Sequence, residues 1–321
     1  MRKHWRMAAA LFAAVAVLAL VVGCSSGNGT EEPAGQKGPI NIGSKIDTEG
    51  ELLGSMIELK LKDAGYTVVD KTQTGATDVV RKALLSGDID IYPEYTGSGL
   101  LFFEGNPEAT VETFKNPEKG YETSKKLDEP NGVIWLTPAK ANNTWAIVVK
   151  KDMAASTGVA TMSDMADYVK AGKATKVAAS DEFFNNVDAW PAFAKTYGFD
   201  LTKDQKVIFS GGNTAQTEQA VASGTDGVNF GMAYGTDGAL ADLGLQVLTD
   251  DKEAQLVYWP VPIIRKAVLD KFPEIETLLA PVFESLTLEK LQELNARIQV
   301  NGEAADDVAR DYLTSGDFIS K

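Results

Sequence analysis

A two-part α/β architecture is what this sequence predicts, and three observations predict it. The 321 residues suit about two domains at ~150 residues each. Strand-like and helix-like stretches alternate as β-α-β-α-β from residue 40 to residue 92, which argues for a mostly parallel sheet with helices on both faces. A second alternating set follows, with strands expected at 146–149, 177–179, 207–209 and 228–233. Hydrophobic residues make up 44% and charged residues 24%, which excludes a wholly disordered or fibrous chain.

The first element is a processing signal. Arg2, Lys3 and Arg6 precede an unbroken apolar run of 16 residues at 7–22, short of the ~20 that span a bilayer. The run ends in Val21-Val22-Gly23-Cys24, which resembles a bacterial lipoprotein lipobox. Residues 1–23 are therefore expected to be a lipoprotein signal peptide, with Cys24 lipidated and holding the chain to the outer side of the cell membrane. Residues 24–38, rich in Gly, Ser, Pro and Glu, are expected to be a flexible tether.

The folded part opens with a strand at 40–42. Asp47-Thr48-Glu49 then supplies a helix N-cap, and Leu53, Ile57 and Leu61 recur at helical spacing until Gly65. A strand at 66–69, a helix at 76–85 and a strand at 89–92 complete the first unit. In such sheets ligands sit at loops after the carboxyl ends of strands, and three loops qualify: GSKIDTEG, TQTGATD and YPEYTGSG. Beyond the second unit, strands are expected at 245–248 and 261–264, then helices around 274–286, 288–298 and 304–313.

Charge and missing residue types narrow the function. The chain carries 31 Lys+Arg against 45 Asp+Glu, a net −14, and removal of residues 1–23 takes this to −17. Such a surface repels phosphate backbones, so no nucleic-acid partner is expected. The single histidine is His4 and the single cysteine is Cys24, so the mature chain has neither a histidine nor an intramolecular disulfide. Ser-His-Asp and Cys-His catalysis and His- or Cys-ligated metal sites are excluded, and neither metal nor cofactor is expected. Gly97-Ser98-Gly99 lacks the third glycine of a dinucleotide fingerprint, and no phosphate-binding GxxxxGK[ST] loop occurs. Asp88, Asp90 and the Thr-Asp-Gly triplets at 225–227 and 236–238 read most simply as turn residues. The aromatics say more. Tyr92, Tyr95, Trp145, Trp190, Tyr234, Tyr258 and Trp259 all fall near expected strand ends or loops, where several π faces could cage a quaternary ammonium. Each could equally cap the core, and composition does not decide between them.

The segments ATDVVRKALLSGDIDIYPEYTGSG, NNTWAIVVKKDMA, AYGTDGALADLGLQVLTDDK, PVPIIRKAVLDKFPEI and LTLEKLQELNARIQVNGEAADDVARDYL resemble the substrate-binding proteins of osmoprotectant ABC importers, the glycine betaine and choline-binding group. GGNTAQTEQA and YGTDGAL point to its OsmF-like branch. The resemblance implies a bilobal type II periplasmic-binding-protein fold, two α/β lobes joined by two crossovers that close on a ligand. Lobe one would be 39–141 with 238–321, and lobe two 142–237. It also implies a non-enzymatic, monomeric protein that passes a quaternary-ammonium osmoprotectant to an ABC permease with its ATPase. Import or sensing of a larger betaine such as ergothioneine is the alternative, and a carboxylate-based extracytoplasmic enzyme a more distant one, for which no paired acids facing a cleft stand out.

By position the resemblance assigns Tyr95 and Tyr92, Trp145, Trp190 and Tyr234 to an aromatic cage, with Asn143 near the cation. Relatives carry arginine where this chain has Asn186. Losing that partner would cost a carboxylate ~1.5 to 3 kcal/mol of charge-assisted bonding, so a ligand without a carboxylate is expected to rank at or near the top. Otherwise the backbone amides at Thr48 or Thr77, each at a helix N-terminus, would hold the anion.

Overall fold

A computed structural model describes residues 37–209 and 214–320. The signal peptide, Cys24 and nearly all of the tether lie outside the described residues. From Gln36 onward the chain forms one compact unit.

Two five-stranded sheets organise that unit. The first has the order β2-β1-β3-β10-β4, where β1 is Lys37–Lys45, β2 Tyr66–Gly75, β3 Ile91–Tyr95, β4 Val133–Trp135 and β10 Pro260–Arg265. The second has the order β7-β6-β8-β5-β9, where β5 is Trp145–Lys150, β6 Val177–Ser180, β7 Lys206–Phe209, β8 Phe230–Tyr234 and β9 Leu245–Val247. Four strands of each sheet run the same way and one is reversed, β10 in the first and β5 in the second, each antiparallel to both of its neighbours. This is the α/β class expected.

Local chemistry explains the first helix, Thr48–Asp63. The Asp47 carboxylate accepts from the Gly50 amide, Glu49 and Glu51 occupy the first turn, and Lys60 and Lys62 the last, all complementary to the helix dipole. Leu52, Leu53, Met56, Ile57 and Leu61 form its buried stripe against β1 residues Ile40 and Ile42 and the C-terminal helices. Helices Glu274–Glu284, Leu288–Gln299 and Ala305–Ser315 contribute Leu279, Phe283, Leu294 and Leu313 to the same core. The second sheet has a separate core built on Ile147, Val149, Phe183, Phe193 and Phe230.

Three features differ from the sequence expectation. The third strand lies at Ile91–Tyr95, later than 89–92, with all five residues buried. Glu94 can sit inside because its carboxylate accepts from the Tyr92 hydroxyl, the Tyr95 amide, the Ser98 hydroxyl and the Lys45 ammonium. Strand β4, three residues long, was not foreseen. Finally, the return to lobe one comes later than residue 238, because β9 pairs with β5 in the second sheet. The crossovers lie between β4 and β5 and between β9 and β10. They run side by side, with the Asn143 amide donating to the Tyr258 carbonyl at 3.0 Å, the Tyr258 amide to Asn142 Oδ1 at 2.8 Å, and the Thr144 hydroxyl to the Leu256 carbonyl at 2.8 Å.

The loop after β8 seats on helix Leu288–Gln299. A methyl group at Gly238 would lie 2.1 Å from the Ala296 nitrogen and 2.3 Å from the Gln292 carbonyl, so only glycine permits this approach. Gln292 Nε2 donates to the Gly235 carbonyl and Asn295 Nδ2 to the Thr236 carbonyl, both at 2.9 Å.

Candidate functional site

Strand register assembles the aromatic part of the site. Trp145 opens β5 and Tyr234 closes β8, and the two are directly opposite in the antiparallel pair. Their ring centres are 4.9 Å apart at 39°, and Phe183 backs Trp145 at 5.4 Å. Tyr258 joins them from the second crossover, where its hydroxyl lies beside the Trp145 side chain. The Tyr258 ring lies over Gly97 of the first lobe, so closely that a methyl group there would come within 2.5 Å of Cε1.

The facing wall comes from the ends of β1 and β3. Glu49, in the first turn of the helix after β1, accepts from the Tyr95 hydroxyl at 3.1 Å, Asn143 Nδ2 at 3.0 Å and Asn295 Nδ2 at 2.9 Å. One carboxylate thereby gathers lobe one, a crossover and the C-terminal helical layer. Asp47, Thr48, Asn143, Tyr234 and Asp237 line a small polar chamber beside it.

The site is acidic. Burial pushes the Glu49 carboxyl up to about 7 despite hydrogen bonds from Thr236, Asn295 and Tyr95. Burial, with Asp47, Glu182 and Asp237 nearby, holds the Tyr234 phenol well above its ordinary range. Burial raises Tyr258 too, helped by Asp188 and Glu182, and raises Tyr95, helped by Glu49 and Asp47. All three phenols stay neutral, and the surrounding carboxylates favour a cationic guest. Lys45 is a buried exception, its ammonium 2.5 Å from Glu94 Oε1 and 4.8 Å from the centre of the Tyr95 ring. Among the described residues, no group of three or more His, Cys, Asp or Glu side chains is placed to hold a metal ion.

The structure thus brings together Tyr95, Asn143, Trp145, Tyr234 and Thr48. It does not bring the other expected residues to them. Tyr92 is 0% exposed in the first-lobe core with Val80, Leu84, Trp135 and Ile263, because its place in β3 turns it inward. Trp190 is 1% exposed among Phe183, Phe184 and Phe199, its ring N–H donating to Asp200 at 2.9 Å. Both are core rings rather than open π faces. Asn186 caps helix Asp181–Asn185, its side-chain oxygen accepts from the Asp188 amide at 3.0 Å, and it is not among the residues lining the chamber. Thr77 opens helix Thr77–Ser86 and is not among the residues lining the chamber. Lys45 and Glu49 were missed, although both lie in the GSKIDTEG loop, and Tyr258, named among the strand-end aromatics, was not assigned to the cage by the resemblance. Asp237, read as a turn residue, is a buried carboxyl in contact with Glu218. Paired acids therefore do exist at the junction, hidden from the sequence because 19 positions separate them.

Comparison with known proteins fits this geometry. Residues 38–315 match the family described as the substrate-binding domain of ABC-type glycine betaine transport systems. The chain is 50% identical over 276 residues to the glycine betaine-binding protein YehZ of Escherichia coli K12, covering 86% of this chain and 90% of that one. It is 32% identical over 286 residues to a glycine-betaine-binding protein of Pseudomonas aeruginosa, covering 85% of this chain and 86% of that one. The structure of apo YehZ from E. coli superimposes with a TM-score of 0.70 at 49% identity, over 87% of this chain and 99% of that one. The bilobal type II periplasmic-binding-protein fold is thereby established.

Proposed function

This chain belongs to the family of substrate-binding domains of ABC-type glycine betaine transport systems, and we propose that it captures glycine betaine or a close trimethylammonium relative between its lobes and delivers it to an ABC permease. It is a binding component of transport, not an enzyme. The observation that carries the ligand class is the Trp145–Tyr234 pair at 4.9 Å in acidic surroundings, with Tyr258 beside it. A quaternary ammonium offers no N–H donor, so it is held by π faces, dispersion and nearby negative charge, all of which this wall supplies.

The carboxylate end of a betaine needs a donor of opposite charge. Asn186 does not provide one, and Lys45 does: it is buried, fixed by Glu94, and lies over Tyr95 at the site wall. Its ammonium has three N–H donors, of which the Glu94 contact takes one. This reverses the expectation from Asn186 alone and favours glycine betaine over choline. The named relatives of E. coli and P. aeruginosa support the same choice. Anchoring through Cys24 on the outer face of the membrane completes the proposal, resting on the Val21-Val22-Gly23-Cys24 junction.

Calorimetric titration with glycine betaine, choline, proline betaine, carnitine and ergothioneine tests it. Glycine betaine is expected to rank first. Failure of every trimethylammonium compound to bind would overturn the ligand class.

A further inference from the structure

Two segments singled out in the sequence, GGNTAQTEQA and YGTDGAL, meet at Glu218 and Asp237, a contact the proposed function leaves unexplained. Glu218 lies in helix Ala215–Ser223 and is 0% exposed, and Asp237 is 5% exposed. Among the described residues, no donor reaches either Glu218 carboxyl oxygen. Its hydrogen-bonding neighbour is the Asp237 carboxyl, itself an acceptor, so the contact becomes a bond only when one of the two acids keeps a proton. Asp237 has further work: its Oδ2 accepts from the Tyr234 amide at 2.6 Å, its Oδ1 from Gln299 Nε2 at 3.4 Å, and the Thr214 hydroxyl also reaches it.

We propose that Glu218 is a positioning residue for the ligand site, sharing one buried proton with Asp237 so that Asp237 holds Tyr234 and the loop behind it in register with Trp145. This rests on the ligand-binding role given above to Tyr234.

Among the described residues, no cation is placed against the pair. Asp47 and Glu49 lie across the chamber, both acidic, and Asn295 and Gln299 are neutral amides. The strands packed on the helix, β5, β6, β8 and β9, bring Tyr234 and Lys150 as titratable groups, and register puts Lys150 at the end of β5 away from Tyr234. Residues 210–213 (Ser-Gly-Gly-Asn) contain no ionisable side chain. Burial and the neighbouring acid raise the affinity of both carboxyls for protons.

Two readouts test the proposal on the full-length protein. The first is ligand-free urea unfolding of wild type, Glu218→Gln and Asp237→Asn between pH 5.5 and 9. Folding of the wild type takes up the shared proton, so its folding constant should fall by up to tenfold per pH unit relative to either variant, Glu49 being common to all three. A ratio that stays constant with pH would overturn the shared proton. The second is calorimetric titration with glycine betaine at pH 7. Glu218→Leu gives Asp237 no donor and should bind at least tenfold more weakly while melting cooperatively, whereas Glu218→Gln, whose amide replaces the proton, should stay within threefold of wild type. Wild-type affinity in Glu218→Leu would overturn the positioning role. A wild type that shows the unfolding slope yet binds no glycine betaine would count against the ligand reading and leave the proton standing. Binding without the slope would do the reverse.

Discussion

Replacing Lys45 by glutamine separates the two ends of the ligand. The wild-type ammonium sits 2.5 Å from Glu94 Oε1, inside a site whose other charged side chains are carboxylates. Glutamine keeps an amide that can reach Glu94 but carries no charge. A hydrogen bond to a charged group contributes ~1.5 to 3 kcal/mol, so glycine betaine should lose roughly 10- to 150-fold in affinity. Choline has a hydroxymethyl where the betaine has its carboxylate and should change by less than about threefold. The fold should survive, since Glu94 keeps the Tyr92 hydroxyl, the Tyr95 amide and the Ser98 hydroxyl. Stability should therefore drop by less than the ~3 to 5 kcal/mol of an uncompensated buried charge. Paired calorimetric titrations with both compounds, beside thermal melts without ligand, give the answer. Equal losses for choline and betaine would show that Lys45 acts by holding Glu94 and Tyr95, and no loss for either would remove it from the site.

Alanine at Trp145 or Tyr234 should weaken glycine betaine binding by about five- to thirtyfold, a loss of ~1 to 2 kcal/mol of cation–π attraction in calorimetry. Alanine at Trp190 should instead cost ~3 to 5 kcal/mol of stability in chemical unfolding, as expected for a truncated core ring. Because burial raises Glu49 from 4.5 to about 7, the folded state holds a proton that the unfolded chain releases. Its contribution is full below pH ~4.5 and is lost as pH rises through about 7, a span of ~3 kcal/mol that Glu49→Gln should flatten in a stability profile against pH. Cys24→Ser should move the protein from the membrane to the soluble fraction and remove an acyl mass from its N-terminal peptide.

Much of the fold was legible because it is written in local periodicity. The stripe Leu53, Ile57, Leu61 and the Asp47 cap fixed the first helix, and the apolar runs at 146–149 and 261–264 marked central strands. What depends on pairing between distant segments was not legible. β9 joins the second sheet through β5, almost a hundred residues earlier, and no local signal says so. Glu94 fell in the YPEYTGSG loop expected from the sequence, because one of the four donors that admit it to a strand is the distant Lys45. The site divides in the same way. Trp145 and Tyr234 were readable as strand-end aromatics, but so were Tyr92 and Trp190, and only packing separates a ring facing the cleft from one inside the core. Lys45 is one of 31 basic residues, and among the described ones only Arg81 shares its burial.

The two crossovers lie side by side, bonded from Asn143 to Tyr258 and from Thr144 to Leu256. On the proposed function, Asn143 and Tyr258 belong at once to this double strand and to the ligand site, so a change in the pairing of the crossovers reaches the guest. Apparent affinity equals intrinsic affinity multiplied by the fraction of molecules already in the binding-competent shape. A substitution such as Thr144→Val, which removes the bond to the Leu256 carbonyl, can thus act on retention through that fraction. A tenfold fall in a sparsely populated competent form, ~1.4 kcal/mol, weakens capture tenfold with every ligand contact intact. Retention and release are in this sense set by the stiffness of two short peptide segments.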